Sequence, residues 1–551
     1  MSPNPPRQSP RFGWRLHHNP LLRKSIHERL RGKAAWVWGL ATFVIALWIF
    51  LMVFMGTTGQ GLLERREAAR SALVPLLVLQ GILLMFFGTG AVAHGIATEK
   101  ERGLLDYQRL TPMTALDKVL GYLFGLPIRE YFAFAITFPF VLLAAVIGDI
   151  HFFRLGQLYL VFFTSVWLYH STGLVAGMVS SHPRRANWFT RILVLGLYLF
   201  LPRMAALGFT VFGYLTILPT FQHVVIMEFG PEAAFLSTKE GWDAFTFFGV
   251  DLHPTLFTLL LQGGALLTFA VILFRKWRHD QAHSLSKVYA VALYAVLQLL
   301  LVGSLWSLIT DPGRLPVIGN ATVDGVVDPR FAMGTMIFVF WLLSLGASAA
   351  LLHIITPRPF AMHHGRLRAT RLGLARVPRC SDAASSLWCS LALGAITTLS
   401  FAILMAAAHA QGIYWPGGIP LVTLGAAPLI FFAVLIALQA VRQRYGGRGL
   451  ALFLALSWVL PLMAMMLLGV SGAGDTFVAY VGLPAPVSVF FFLTLHLFAE
   501  SQGDPVFLGL AVLLHLGFAI WATQQSQYDE AAWTAVHASP PPPLTPPSEP
   551  S

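Results

Sequence analysis

Ionisable side chains are sparse in this chain, and one mixed group of them lies between Glu99 and Pro112. This segment reads Glu-Lys-Glu-Arg-Gly-Leu-Leu-Asp-Tyr-Gln-Arg-Leu-Thr-Pro. Leu104, Leu105 and Leu110 are apolar side chains among charged ones, a combination typical of a segment that docks into a groove of a partner. The alternative is a loop that folds back on its own bundle. Thr111 is expected to cap a new helix that has Pro112 at its first position.

Two prolines lie next to the ionisable residues found inside apolar stretches. Arg129 and Glu130 follow Pro127, and we expect them to pair where the helix breaks. Arg203 follows Pro202 and is expected to face a transport pathway or a carbonyl that the proline leaves free. Charges within lipid are functional candidates by default. A pathway or gating role is one reading of all three residues, and a structural pair near the inner interface is the other for Arg129 and Glu130.

Motifs for catalysis within the chain itself are missing from the sequence. The only Gly-Lys pair, Gly32-Lys33, is followed by Ala34, so there is no Gly-x-x-x-x-Gly-Lys-(Ser/Thr) phosphate loop. Neither His-Glu-x-x-His nor Gly-x-Ser-x-Gly occurs. The two cysteines, Cys380 and Cys389, are too few for a zinc site without other ligands. We therefore expect no catalytic residue, no metal and no cofactor in this chain.

The elements that must position these residues are membrane helices. Of 551 residues, 56% are hydrophobic and 11% charged, and mean hydropathy is +0.68. This composition excludes a large soluble enzyme and predicts an all-α polytopic protein embedded in a lipid bilayer. Twelve apolar stretches are candidate spans. They are 34–56, 71–97, 119–148, 156–179, 190–216, 253–274, 287–309, 332–356, 390–412, 418–441, 449–471 and 506–524.

Lysine and arginine predict the orientation of these spans. With the N-terminus inside, the inner segments hold 28 of the 37 basic residues and the outer loops hold 7. Such a bias predicts a cytoplasmic N-terminus. It also accounts for the net charge of +12 without a nucleic-acid partner.

Residues 19–33 form a second charged segment, just before the first span. Apolar residues recur at every fourth position and basic residues fill the rest, as in an amphipathic helix on the inner membrane surface. The alternative is a plain topogenic anchor. The candidate residues of this helix are Leu22, Arg23, Ile26, Glu28, Arg29 and Leu30.

An internal repeat becomes visible when the sequence is shifted by 259 residues. Most early spans then fall on later ones, and Pro202 falls on Pro461. The repeat predicts two six-span modules, 34–280 and a degenerate 281–526. Segments 217–252 and 477–503 become equivalent re-entrant elements, although the latter could also be a thirteenth span. The flanking segments are a cytoplasmic tail with the interfacial helix, 1–33, and a Pro-rich disordered tail, 527–551.

The order of these features resembles the permease subunits of type-2 ATP-binding-cassette (ABC) exporters. Those proteins carry an interfacial helix before the first span and, after the second, Glu-Lys-Glu-x-Gly-x-Leu-(Asp/Glu)-x-x-x-x-(Thr/Ser)-Pro. The resemblance covers about residues 19–280, whereas the second half has Arg-Pro-Phe-Ala-Met at 358–362 in place of the acidic signature. The residues it implicates in ATPase coupling are Glu99, Lys100, Glu101, Arg102, Gly103, Leu104, Leu105, Asp106, Thr111 and Pro112.

This resemblance implies a transporter subunit in the bacterial cytoplasmic membrane. It implies an ABC ATPase on a separate chain, which binds the ATP and magnesium, and it leaves open a homodimer or a second permease. Two alternatives from other classes are an ion-gradient-driven transporter and a non-transporting membrane scaffold. The first would require acidic residues in mid-span, which are almost absent. The substrate is not indicated.

Overall fold

The computed structural model describes residues 19–59, 64–180, 182–206, 209–229, 246–279, 282–310, 322–323, 326–327, 329–412, 421–472, 474–498 and 505–538. The chain forms two compact units. The first comprises the described residues up to Thr246 together with Val250–Ala282. The second comprises Phe247–Gly249 and the described residues from His283 onwards.

Helices make up nearly all of the first unit. They are α1 Pro20–Leu30, α2 Lys33–Gly59, α3 Arg65–Gly81, α4 Thr89–Glu101, α5 Leu104–Leu110, α6 Ala115–Gly125, α7 Ile128–Ile147, α8 Phe152–Val179, α9 Pro183–Ala206, α10 Leu218–Phe229 and α11 Pro254–Arg278. A π-helical segment, Ile82–Gly88, joins α3 to α4 without a break, and Thr210–Leu215 is a short 3₁₀-helix. Strands β1 (Thr246–Phe247) and β2 (Val250–Asp251) precede α11.

The second unit is also helical. Its helices are α12 Lys287–Thr310, α13 Pro329–Ile355, α14 Pro359–Arg371, α15 Leu387–Ala410, α16 Leu421–Leu454, α17 Leu460–Val470, α18 Asp475–Gly482, α19 Pro486–Phe498 and α20 Pro505–Ala538. A π-helical segment, Ala455–Val459, joins α16 to α17. Two-residue strands β3 (Thr322–Val323) and β4 (Val326–Val327) pair antiparallel.

Ten helical stretches of the described residues are long and apolar enough to cross a membrane. They are Lys33–Thr58, Arg65–Glu101, Ile128–Ile147, Phe152–Val179, Pro254–Arg278, Lys287–Thr310, Met333–Ile355, Leu387–Ala410, Leu424–Val470 and Pro505–Gln527. The protein is therefore an all-α, multi-pass membrane protein, as its composition predicts. The stretch Leu424–Val470 contains 47 residues, and its backbone is non-helical at Gly446 (φ 69°, ψ −162°), where two helices meet at a kink.

Apolar side chains cover the outside of several of these helices. On α2, Trp36, Leu40, Trp48 and Met55 each expose more than half of their surface. A water-soluble protein seldom exposes a continuous apolar face of this kind, whereas a helix in contact with lipid tails does. The outward face of α2 thus agrees with a membrane environment.

Several predicted elements differ from the observed ones. The span predicted over 119–148 is two helices, α6 and α7, because the chain leaves the helical path around Pro127. Helices α10, α18 and α19 have 12, 8 and 13 residues, each fewer than the ~20 residues of a full crossing. Residues 230–245 and 499–503 of the predicted re-entrant segments lie outside the described residues.

The predicted disordered tail begins too early. Helix α20 continues to Ala538, into the segment 527–551, and residues 539–551 lie outside the described residues. The reason is local, since the residues from 527 to 538 include good helix formers and the first proline of the tail is Pro540.

Candidate functional site

The segment after α4 owes its direction to one glycine. Gly103 has φ +71°, a left-handed conformation that side-chain-bearing residues adopt only with strain, and its N–H donates to the Lys100 carbonyl at 3.0 Å. Helix α4 therefore ends, and α5 leaves in a new direction. An added Cβ at Gly103 would meet no atom within 4 Å, so only the backbone requires glycine here.

Helix α5 has an anchored side and an open side. Leu105 is 4% exposed and packs into a core cluster with residues of α4, α6 and α11, among them Trp277. Leu104, Tyr107 and Leu110 face outwards, and the last two are 69% and 84% exposed. The structure thus divides the leucines that the sequence treats alike. Leu105 holds the helix on its own bundle, and the other two are accessible.

Glu99 connects α4 to two neighbouring helices. Its carboxylate accepts a hydrogen bond from the Tyr122 hydroxyl of α6 and forms an ion pair with Lys24 of α1, at 3.5 Å. Burial, together with the nearby Glu99 charge, raises the pKa of Tyr122 far above its usual range, so the phenol stays a neutral donor. Glu99 thus braces three helices.

Lys100 closes the end of a fourth helix. Its ammonium group donates to the carbonyls of Met178 at 2.6 Å and Ser180 at 3.1 Å, at the C-terminus of α8. The last carbonyls of a helix have no intrahelical donors and carry partial negative charge, which a lysine satisfies. Glu101 and Arg102, the next two residues, are exposed.

Further along the segment, Asp106 and Arg109 pair with each other across one turn of α5. Their closest oxygen and nitrogen atoms are 2.5 Å apart, and Arg109 also donates to the Lys276 carbonyl of α11 at 3.5 Å. Burial lowers the pKa of nearby Lys118, and the Arg109 charge adds to that shift. The charges of α5 therefore also serve to fasten it to its bundle.

The predicted helix start at Thr111 and Pro112 is wrong. Thr111 ends α5, and its hydroxyl donates to the Gln108 carbonyl at 2.7 Å. The N-cap of α6 is Thr114, whose hydroxyl accepts from the Asp117 N–H at 3.2 Å while the Asp117 carboxylate accepts from the Thr114 N–H at 3.3 Å. This reciprocal capping box satisfies two N–H groups, whereas a cap at Thr111 would satisfy fewer.

Helix α1 lies against α6 through a different stripe from the predicted one. Leu21 is its buried residue, and the side chain of Asn19 caps it, accepting from the Leu21 N–H at 3.0 Å. A Cβ at Gly121 or Gly125 would come within 2.8 Å of α1 atoms, so these glycines permit the close approach. Of the predicted residues, Leu22, Arg29 and Leu30 are half-buried and three are exposed. The exposed residues are Arg23, Ile26 and Glu28.

A second charged group lies where α6 gives way to α7. Arg129 and Glu130 form the expected ion pair at 3.1 Å, and Arg129 lies over the Trp38 ring at 5.5 Å. Glu130 is 2% exposed, and its second oxygen has no hydrogen-bond partner among the described residues. Arg29 of α1 donates to the Leu126 carbonyl at 2.5 Å, and burial lowers the pKa of Arg29 while the Glu130 charge opposes that shift.

Arg203 is separate from both groups. It is exposed on α9 and forms no hydrogen bond or ion pair within the part of the chain that the structure describes. No contact among the described residues supports the prediction that Arg203 faces a carbonyl that Pro202 leaves free.

Uncharged polar side chains inside the helices are the residues that sequence reasoning overlooked. In the first unit, buried Gln80 donates to Thr137 at 3.1 Å and accepts from Tyr159 at 2.6 Å. In the second, buried Gln298 donates to Tyr294 at 2.9 Å. A glutamine inside an apolar stretch was the available signal, because a buried amide in lipid needs partners.

The surface around α5 has exposed apolar side chains beside exposed charged ones. Within the described ranges, no three His, Cys, Asp or Glu side chains approach closely enough to hold a metal ion.

Comparison of the chain with protein-family models, curated proteins and solved structures found no match.

Proposed function

We propose that this protein is the permease subunit of an ATP-driven exporter of the type-2 ABC class, and that a separate ATPase docks on α5. One observation carries the proposal. Helix α5 packs against its own bundle through buried Leu105. Its other apolar side chains, Leu104, Tyr107 and Leu110, form an outer face beside exposed Glu101 and Arg102. An exposed apolar patch with a charged rim is typical of a protein interface.

The contacts beneath α5 supply a route for force. Glu99 connects to α1 and α6, Lys100 to the end of α8, and Arg109 to the end of α11. A partner that shifts α5 therefore moves the ends of several membrane helices together. ATP-driven closure of the partner would favour one access state in this way, provided that the substrate binds the two states differently.

Twelve spans in two six-span modules are part of the same proposal. Adding 259 to the residue numbers of α5 gives 363–369, which lies within α14. The same shift places α8 over the first part of α16 and α11 over α20, in the same order along the chain. Helix α9, together with the kink at Gly446, brings the ten long apolar stretches to twelve.

The proposed location is the bacterial cytoplasmic membrane, with the N-terminus and α14 on the inner side. The two cysteines make this testable, since Cys380 is exposed and Cys389 is buried. A membrane-impermeant maleimide should label Cys380 in inverted membrane vesicles but not in intact cells, and Cys380→Ser should abolish the signal. Equal labelling in both preparations contradicts the orientation.

An affinity pull-down of the detergent-solubilised chain from its native membrane tests the function. We expect a Walker-motif ATPase with the unaltered chain, and loss of most of it with Tyr107→Ala/Leu110→Ala. The matched control is Phe360→Ala/Leu372→Ala, which removes exposed apolar side chains from the α14 region instead. Size-exclusion profiles verify that both variants fold.

The outcomes separate the readings. Loss with the α5 variant alone supports one ATPase contact through the first unit, and loss with both variants supports two. If the unaltered chain recovers no ATPase under conditions that preserve known complexes, ATP coupling is wrong. The buried carboxylate of Glu130 would then be the first residue to test for an ion-gradient-driven transporter.

A further inference from the structure

The segment between α13 and α15, residues 357–389, is rich in arginine. It contains six arginines and no lysine, and its single acidic residue is Asp382. The Asp382 carboxylate already accepts a hydrogen bond from the His283 N–H at 3.2 Å. A topology signal alone does not require arginine, because lysine serves equally well. Arginine is the side chain that binds phosphate with two parallel hydrogen bonds.

Part of this segment encloses a cleft of about 740 Å³ in the second unit. Arg366, Arg376 and Arg379 line it together with Gln439 and Gln443. None of the described side chains that line it is acidic. An anion that enters the cleft would meet several cationic and amide donors and no like charge.

The wall of the cleft is a built structure. Lys287 is fully buried and donates to the Ser381 carbonyl at 2.9 Å and to the Ala384 carbonyl, which holds the turn before α15 in place. The Trp388 indole donates to the Arg379 carbonyl at 3.2 Å. Hydrogen bonds, one of them the buried bond from Lys287 to Ala384, therefore position the backbone that follows Arg379.

Apolar side chains line the cleft beside the arginines. Leu387 and Leu391 line the cleft and belong to the first turns of α15, one of the ten apolar stretches long enough to cross the bilayer. Both leucines are exposed, as is Leu374, which also lines the cleft. Phe360 and Leu367 of α14 are exposed as well, as expected of a helix at the membrane boundary. A ligand that fits both the arginines and the leucines has an anionic head and an apolar tail.

We propose that this cleft binds the headgroup of an anionic phospholipid, with the phosphate on Arg376 and Arg379 and the acyl chains along Leu387 and Leu391. Basic pockets beside membrane helices recognise anionic headgroups through the same combination of charge and apolar surface. The site is independent of the ATPase contact proposed for the first unit. It gives the second unit, which lacks the acidic signature, a binding function of its own.

The test uses the full-length chain purified in a neutral detergent. Native mass spectrometry measures binding of dioleoyl phosphatidylglycerol, with dioleoyl phosphatidylcholine as the zwitterionic lipid and inorganic phosphate as the free anion. We expect phosphatidylglycerol to bind at least about tenfold more tightly than phosphatidylcholine, and Arg376→Gln/Arg379→Gln to reduce that binding roughly tenfold or more. The control, Arg368→Gln/Arg371→Gln, removes the same charge from the same segment at residues that do not line the cleft. It should change binding less than about twofold.

Several results would overturn the site. Equal losses in both double variants would mean general attraction to a basic surface, and equal binding of the two lipids would remove the role of charge. If inorganic phosphate binds the chain as tightly as phosphatidylglycerol does, the cleft is a site for a free anion. If the cleft variant does not fold, Arg376→Gln and Arg379→Gln are measured singly, and two unchanged affinities would contradict the proposal.

Discussion

Helix α5 of the first unit and helix α14 of the second are related by the predicted shift of 259 residues but use charge in opposite ways. Around α5, acids and bases pair with each other or with helix ends, as Lys24 does with Glu99 and Lys100 with the end of α8. Around α14, arginines greatly outnumber acids, and some of them line a cleft. Neutralised charges brace a segment and leave its apolar face for a partner, whereas an excess of one sign attracts a ligand of the other.

The two segments nevertheless share features of the local backbone and packing. Both segments contain a helix ended by a left-handed glycine, Gly103 after α4 and Gly373 after α14. Both helices bury apolar side chains, Leu105 in α5 and Met362 with Ala369 in α14. What differs is the exposed chemistry, which packing does not constrain.

The largest expected effect comes from the buried anchor of each segment. Leu105→Ala should cost about 2–5 kcal/mol of local stability, because it removes a buried leucine and leaves a cavity under α5. We expect faster proteolysis at 104–110 and loss of ATPase in the pull-down. Met362→Ala should loosen α14 by a similar amount and retain the ATPase. If ATPase recovery falls equally in the two variants, the division of roles between the segments is wrong.

A smaller effect is expected from the lysine that caps α8. Lys100→Met removes its hydrogen bonds to the helix end, and since the residue is exposed we expect a loss of only about 1 kcal/mol. The measurement is the midpoint of thermal unfolding in detergent. Arg102→Met is the control, because it removes the same charge two residues away and should leave the midpoint unchanged. Equal midpoints for both variants would show that the capping bonds add nothing.

The smallest difference in stability between the two segments is expected at their left-handed glycines. Gly103→Ala and Gly373→Ala each place a side chain at φ near +70°, with no atom within 4 Å of the new Cβ. Each should therefore cost about 1–2 kcal/mol through backbone strain alone, and the two costs should be the same. Thermal midpoints of both variants test this equality. A clear difference would show that backbone strain is not the whole cost at one of the two turns.

Local patterns allowed some of these features to be foreseen. The apolar stretches predict the long helices, and the spacing of Pro127, Arg129 and Glu130 predicts both a break and an ion pair. Patterns failed where two candidates had the same chemistry. Thr111 and Thr114 are both threonines before a helix, and only the reciprocal bonds with Asp117 select the second.

Leu104 and Leu105 present the same difficulty in a helix of seven residues, which is too short to show a periodic face. The choice depends on Trp277, whose side chain arrives from α11 far along the chain to complete the core. The arginine cleft depends likewise on Lys287 and Gln443, which belong to helices distant in sequence from the arginines.

Composition and long apolar stretches were sufficient to predict a helical, multi-pass membrane protein, because the solvent preference of such a stretch does not depend on its neighbours. The direction that each side chain faces was another matter. Burial, capping and the shape of a cleft depend on contacts between segments far apart in the chain, and such contacts exist only once the helices have packed. The folded bundle therefore decided that Leu105 anchors α5, that Tyr107 and Leu110 remain accessible, and that Arg376 and Arg379 line a cleft.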